Sequence, residues 1–232
     1  MSKTTAFPMT PGNRRQRRLP ITNALLLCIT AATLTGCSTS QGRPKLPYNA
    51  WSVGIGAPKY MEVWVESVDV VDRRGLAYER VHAGVVGYSG SPVGWPKNGM
   101  GKLKPVTGVD LPEIIFVRWQ SLVEPQTYNV RINIPQWVRD EMLKPQRAYC
   151  LGDRSWVTDY RKMISIGMAP GGIAKAWVGG PCLEEKEIGR YKAVIEKLGP
   201  SQGKTNGQYA WPSLEPTSRN YIDQHGIPYD SW

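Results

Sequence analysis

Tyr128-Asn129-Val130-Arg131-Ile132-Asn133-Ile134 is the stretch on which the fold turns. Apolar Tyr128, Val130, Ile132 and Ile134 alternate with polar Asn129, Arg131 and Asn133. A period of two sets one face of a strand on a core and the other in water. On the N-terminal side, Ile114-Ile115-Phe116-Val117-Arg118-Trp119 is a continuous apolar run, the pattern of a central strand. Residues 61–71 are β-branched and partly alternating, and Asp72-Arg73-Arg74-Gly75 supplies turn chemistry after them. On the C-terminal side, residues 163–167 and 173–178 flank Pro170-Gly171-Gly172, which predicts a hairpin-like reversal.

Two helices interrupt this pattern. Residues 135–143 begin with a proline, which suits a first helical position, and place Trp137, Val138 and Met142 near one face. Residues 184–198 start with acids and continue with lysines, complementing a helix dipole. Within them Ile188, Tyr191, Ile195 and Leu198 repeat at helical spacing, a core stripe. From Gly199 the chain is rich in Gly, Pro, Ser and Asn without periodicity, so residues 199–232 read as an irregular tail. No internal repeat is visible. The expected fold, over residues 51–198, is mostly β (α+β): an antiparallel sheet or sandwich with one or two packed helices.

The N-terminus carries an address. Arg14-Arg15-Gln16-Arg17-Arg18 precedes the apolar run Ala24-Leu25-Leu26-Leu27-Cys28-Ile29-Thr30-Ala31-Ala32, which is too short to span a bilayer. Leu34-Thr35-Gly36-Cys37 then resembles the lipobox of bacterial lipoproteins. That resemblance makes residues 1–36 a signal peptide and Cys37 the acylated residue, carrying a diacylglycerol and an N-acyl chain. Several acyl chains hold a protein on a membrane where one is marginal. No other cofactor is expected. Two arginine pairs also invite a twin-arginine export reading, but the usual context of that motif is missing. Ser38 stands where an Asp is the inner-membrane retention signal, which points to the outer membrane, facing the periplasm. Residues 37–50 are then a polar, Pro-broken tether, and its stretch after Cys37 reaches roughly 40 Å when extended.

Charge and cysteines fit this address. The full chain has 29 Lys+Arg against 19 Asp+Glu, a formal net charge of +10. Five of the basic residues and none of the acids fall in residues 1–36. The remaining Lys and Arg are scattered, not a dense stripe, so nucleic acid is not an expected partner. Of four cysteines, Cys28 leaves with the signal and Cys37 is acylated, which leaves Cys150 and Cys182. In an oxidising compartment such a pair is expected to bond. Closing that loop contributes about 3.7 kcal/mol in the chain-entropy account, before strain.

The sequence offers little catalytic chemistry. His82 and His225 lie far apart in sequence, and no zinc spacing occurs. Gly87-Tyr88-Ser89-Gly90-Ser91 misses the GxSxG elbow at its last position, with Pro92 where a helix should begin. Gly199-Pro200-Ser201-Gln202-Gly203-Lys204-Thr205 has three residues between its glycines where a phosphate loop has four. No enzyme is expected. Aromatic usage is the remaining signal, with nine Trp and eleven Tyr against two Phe. Trp64, Trp119, Trp137 and Trp177 fall in predicted strands or a helix and read as core. Trp95, Tyr209, Trp211, Tyr229 and Trp232 do not, and are the candidate partner-contacting residues.

Several phrases together resemble a family. They are Trp51-Ser52-Val53-Gly54, Ala57-Pro58-Lys59-Tyr60, Val117-Arg118-Trp119-Gln120-Ser121-Leu122, Ile166-Gly167-Met168-Ala169-Pro170-Gly171-Gly172 and Trp177-Val178-Gly179-Gly180-Pro181-Cys182. Over roughly residues 50–198 they resemble an uncharacterised family of proteobacterial lipoproteins, domain of unknown function 2931. The resemblance implies an immunity protein that binds and neutralises a lipase effector of type VI secretion. Two alternatives stand beside it. One is a non-enzymatic envelope or assembly lipoprotein with a different protein partner; the other is a lipid-processing enzyme using Ser89.

Overall fold

The alternation at 128–134 forms the inward face of a central strand. In the computed structural model, which describes residues 42, 44–95, 101–205 and 213–232, this strand is one of twelve. The first sheet contains β1 (Ala50–Gly56), β4 (Lys102–Thr107), β9 (Met163–Ala169), β10 (Ile173–Gly180) and β11 (Leu183–Lys192), in the order β11-β10-β9-β1-β4. The second contains β2 (Val63–Asp72), β3 (Ala77–Val86), β5 (Pro112–Ser121), β6 (Gln126–Asn133) and β12 (Val194–Ile195), in the order β12-β6-β5-β2-β3. A separate ribbon pairs β7 (Gln146–Cys150) with β8 (Ser155–Asp159). Strands β1 and β9 are parallel; every other pairing among the described residues is antiparallel.

Both five-stranded sheets contribute to one core. Val53, Ile55, Ile164 and Ile166 from the first share a buried cluster with Val65, Val68, Ile115 and Val117 from the second. Each such side chain contributes about 1.5–3 kcal/mol when fully withdrawn from water. The predicted reversal at 170–172 is the β9–β10 turn, with Gly171 and Gly172 at φ 73° and 69°. The predicted helix at 135–143 is α1 (Gln136–Leu143), which buries Val138 and Met142. Trp137 departs from its expected core role and is 40% exposed, on the outer side of α1.

Residues 184–198 are not a helix. They form β11 and the short β12, and a β-bulge explains the misleading period. Ala176 pairs with Gly189 and Trp177 with Glu187, so Ile188 is an extra residue on the β11 side. The slip in phase lets Ile188 and Tyr191, three apart, both pack on the core, which imitates helical spacing. The acids and lysines of this segment mostly line an exposed sheet edge, where charge discourages pairing with another chain.

The segment expected to be an irregular tail is also ordered in large part. It contains α2 (Pro216–His225), which starts on a proline and stops at Gly226, φ 72°, whose N–H donates to the Ile222 carbonyl. Ser218, buried inside α2, donates its hydroxyl hydrogen bond to the Glu62 carboxylate ahead of β2.

Connections divide the sandwich into two ends. At one, β1 starts opposite the end of β4, and after a four-residue loop β5 starts opposite Asp72. That end therefore holds the β2–β3 turn, α1, the β7–β8 ribbon and the β10–β11 turn. The chain also enters there: Arg74 donates to the Gly42 carbonyl at 3.1 Å, and Tyr48 packs edge-on against Tyr160, just beyond β8. The opposite end holds the loop after β3, the β9–β10 turn and α2.

Candidate functional site

At the end opposite the chain entry, a small apolar cluster gathers Met61, Ala169, Ile173 and Trp232, with Tyr60, Trp95, Tyr221 and Ile222 packed against it. Three of the five candidate contact residues meet here. Trp95 stacks edge-on against Trp177 with ring centroids 5.4 Å apart, and it lies over Gly167, where any larger residue would displace the ring. Tyr229 lies beside Gly171 of the β9–β10 turn, and its ring is 49% exposed. Tyr209 and Trp211 lie outside the described residues, as does Cys37.

The structure corrects the expectation that Trp232 presents its ring to a partner. It is only 8% exposed, its indole N–H donates to the Pro170 carbonyl at 3.1 Å, and the Arg190 guanidinium donates to the Trp232 backbone carbonyl at 2.6 Å. Trp232 therefore clamps the C-terminus onto the β9–β10 turn. Beside it Tyr60, held at φ 67°, stacks on Tyr221 at 4.6 Å, and Tyr221 contacts His225.

A cavity of about 320 Å³ sits beneath Trp95, lined by Ala57, Val86, Tyr88, Gly167 and Trp177 with Ser89 and Lys102 at its polar margin. Tyr88 on its rim is 53% exposed, and Val93, two residues before Trp95, is 54% exposed. Ser89 is exposed. His82 is buried, and its Nε2 lies 2.8 Å from the Lys102 carbonyl oxygen, so that nitrogen is already bonded to the backbone. Under the rim, burial raises the Glu62 carboxyl above its ordinary 4.5, against the lowering effect of the Ser218 hydrogen bond.

The chain-entry end is built differently. Cys150 and Cys182 form the expected disulfide, with Cα atoms 4.8 Å apart, tying the end of β7 to the β10–β11 turn. Asp153 joins them as the one grouping of metal-ligating types among the described residues, but both sulfurs are used in the S–S bond. Arg161 and Lys186 both pair with Glu141 of α1, at 2.9 and 3.0 Å. The Lys186 hydrogen bond chiefly holds the Glu141 carboxyl below its usual range. Sequence reasoning missed one exposed group here: Tyr149, Leu151 and Trp156 on the ribbon. The available signal was the turn pair Gly152-Asp153 between the strand-forming Tyr149 and Trp156-Val157-Thr158.

No helix among the described residues is long and apolar enough to cross a membrane. No curated protein and no solved structure matches the chain. A family match does exist, and it runs beyond the stretch of resemblance at both ends, taking in residues 38–49 and α2. Over residues 38–230, the chain belongs to the family described as Protein of unknown function (DUF2931).

Proposed function

We propose that this chain is a lipid-anchored, periplasm-facing binding protein of the outer membrane, and that its partner is a secreted lipase effector which it neutralises. The observation that carries the binding role is the set of exposed large side chains Tyr88, Val93 and Tyr229 on the end away from the chain entry, with Tyr88 lining the Trp95 cavity. Large rings with polar tips, set on a rigid sandwich, give contact area at low entropic cost. The identity of the partner rests on the family resemblance. Anchoring through Cys37 would keep the inhibitor at the membrane a lipase attacks, raising its effective concentration there.

The test is capture of the acylated protein from its own cells with partners identified by mass spectrometry. An antibody is preferable to a C-terminal tag, because the Trp232 carbonyl is bonded to Arg190. A stoichiometric secreted lipase is expected, with Tyr88→Ala weakening its binding by about tenfold or more, as for a central aromatic contact. Recovery of envelope assembly proteins alone would replace this reading with that of an accessory lipoprotein.

A further inference from the structure

Tyr149 and Trp156 are cross-strand partners on the β7–β8 ribbon, their rings edge-on with centroids 5.9 Å apart. The Arg147 guanidinium lies 5.7 Å from the Trp156 ring centre. At the turn between the strands, Leu151 is 84% exposed, and Trp156 is 63% exposed. A two-stranded ribbon is marginal alone. Here Cys150 fixes the end of β7 covalently, and the Asp159 carboxylate at the end of β8 accepts from the Cys182 N–H at 3.2 Å. The patch is thus held rigidly outward, although it makes none of the core.

Its location and chemistry name an occupant. The Gly42 carbonyl is fixed to Arg74 at this same end of the sandwich, and Tyr48 touches Tyr160 next to β8. Five peptide units separate Gly42 from Cys37, an extended reach of about 18 Å. An anchor on so short a lead brings this end to the lipid. Trp and Tyr favour the bilayer interface, and a basic side chain beside them reaches toward headgroup phosphate. Residues 144–158 contain Lys144, Arg147 and Arg154 against Asp153 alone, which complements an anionic surface.

We infer that the β7–β8 tip is a membrane-contact site, with Leu151, Tyr149 and Trp156 entering the headgroup–acyl boundary of the bilayer that holds Cys37. This rests on the lipid-anchored reading of the chain. The contact fixes the orientation of the sandwich and directs the Trp95 rim away from the lipid.

The test uses the full acylated protein in vesicles of phosphatidylethanolamine and phosphatidylglycerol, with brominated phospholipid as quencher of tryptophan emission. Trp156→Phe is expected to remove most of the quenched fraction, Trp95→Phe to leave it, and Leu151→Asp to reduce it with an unchanged unfolding midpoint. Acylated protein that floats with the vesicles but keeps its quenching in Trp156→Phe would overturn this proposal alone. An unmodified Cys37 in the intact mass of the exported protein would overturn the anchored reading as well. In cells, a photo-reactive benzoylphenylalanine in place of Trp156 should give lipid adducts. A discrete protein adduct would instead make the ribbon a protein interface and sink the membrane assignment.

Discussion

The two ends of the sandwich hold their loops by different forces. At the chain-entry end the fixings are ionic and covalent: Asp72 with Arg74, Glu141 with Arg161 and Lys186, and the Cys150–Cys182 bond. At the opposite end they are mostly apolar and aromatic, with Trp232, Trp95 and the Tyr60–Tyr221 stack beside two buried carboxylates, Glu62 and Glu124. Ionic and covalent ties set geometry by direction and length, so they suit loops that must keep one fixed attitude. Apolar clusters depend on shape and tolerate adjustment, which suits a rim that receives another surface.

The sharpest way to break this contrast is at Asp72. Its carboxylate is fully buried and accepts from Arg74 and from the N–H groups of Arg74, Leu76 and Asp110. Asp72→Ala leaves the Arg74 charge without its carboxylate and three N–H groups without their acceptor, and should cost about 3–5 kcal/mol in urea unfolding. Burial alone would raise this carboxyl, but the Arg74 bond and the N–H groups outweigh it and hold it below its ordinary 3.8. Its contribution is therefore complete above pH 3.8 and lost as pH falls through the lower folded value. A wild-type protein whose stability is flat through that acid range would contradict this account.

Reducing the disulfide should come next, at about 3–4 kcal/mol by loop entropy. The loss should appear as a lower unfolding midpoint in reductant that Cys150→Ala with Cys182→Ala reproduces. At the far end, Trp232→Ala should cost about 3 kcal/mol, the lower part of the range for deleting a large core ring. Hydrogen exchange should then show α2 and the β9–β10 turn opening together, while the β7–β8 ribbon stays protected.

Glu62→Gln should be the smallest of these changes and has the opposite pH sign to Asp72. Burial raises the Glu62 carboxyl, so the folded state holds a proton that the unfolded chain has released. Stability falls as pH rises from 4.5 through the raised folded value, and the cost is complete above it. Glutamine keeps an acceptor for Ser218 without the charge. The variant should equal or exceed wild type at neutral pH and lose this part of the pH dependence. A variant clearly less stable than wild type at neutral pH would show that charge at this position is favourable.

Much of the sandwich could be read before its structure was known, and the reason is local. Residues 128–134, 114–119 and 163–178 owe their conformation to their own alternation, apolar runs and turn glycines, and these appear as strands and a reversal. The failures have a shared cause in contacts distant in sequence. Ile188 and Tyr191 face one way because of a bulge set by β10, which no pattern within 184–198 could reveal. Helix α2 is mostly polar, and its register rests on Ser218 meeting Glu62, far away along the chain. Pro216 and Gly226 were nonetheless legible as its limits. For the candidate site, aromatic count singled out Trp95 and Tyr229, but only tertiary structure separates exposed Tyr229 from enclosed Trp232.

The parallel pairing of β1 with β9 has a consequence in time. Ser52 lies opposite Met163 and Gly56 opposite Gly167, so the first strand borders one of the later ones. A chain delivered N-terminus first presents β1 long before β9 has followed, and pairing across so large a loop is slow. Until then one edge of Trp51-Ser52-Val53-Gly54-Ile55 is open to any passing strand. Assembly must therefore wait for the second half of the chain, and a holdase that shields this first strand would raise the yield of native protein.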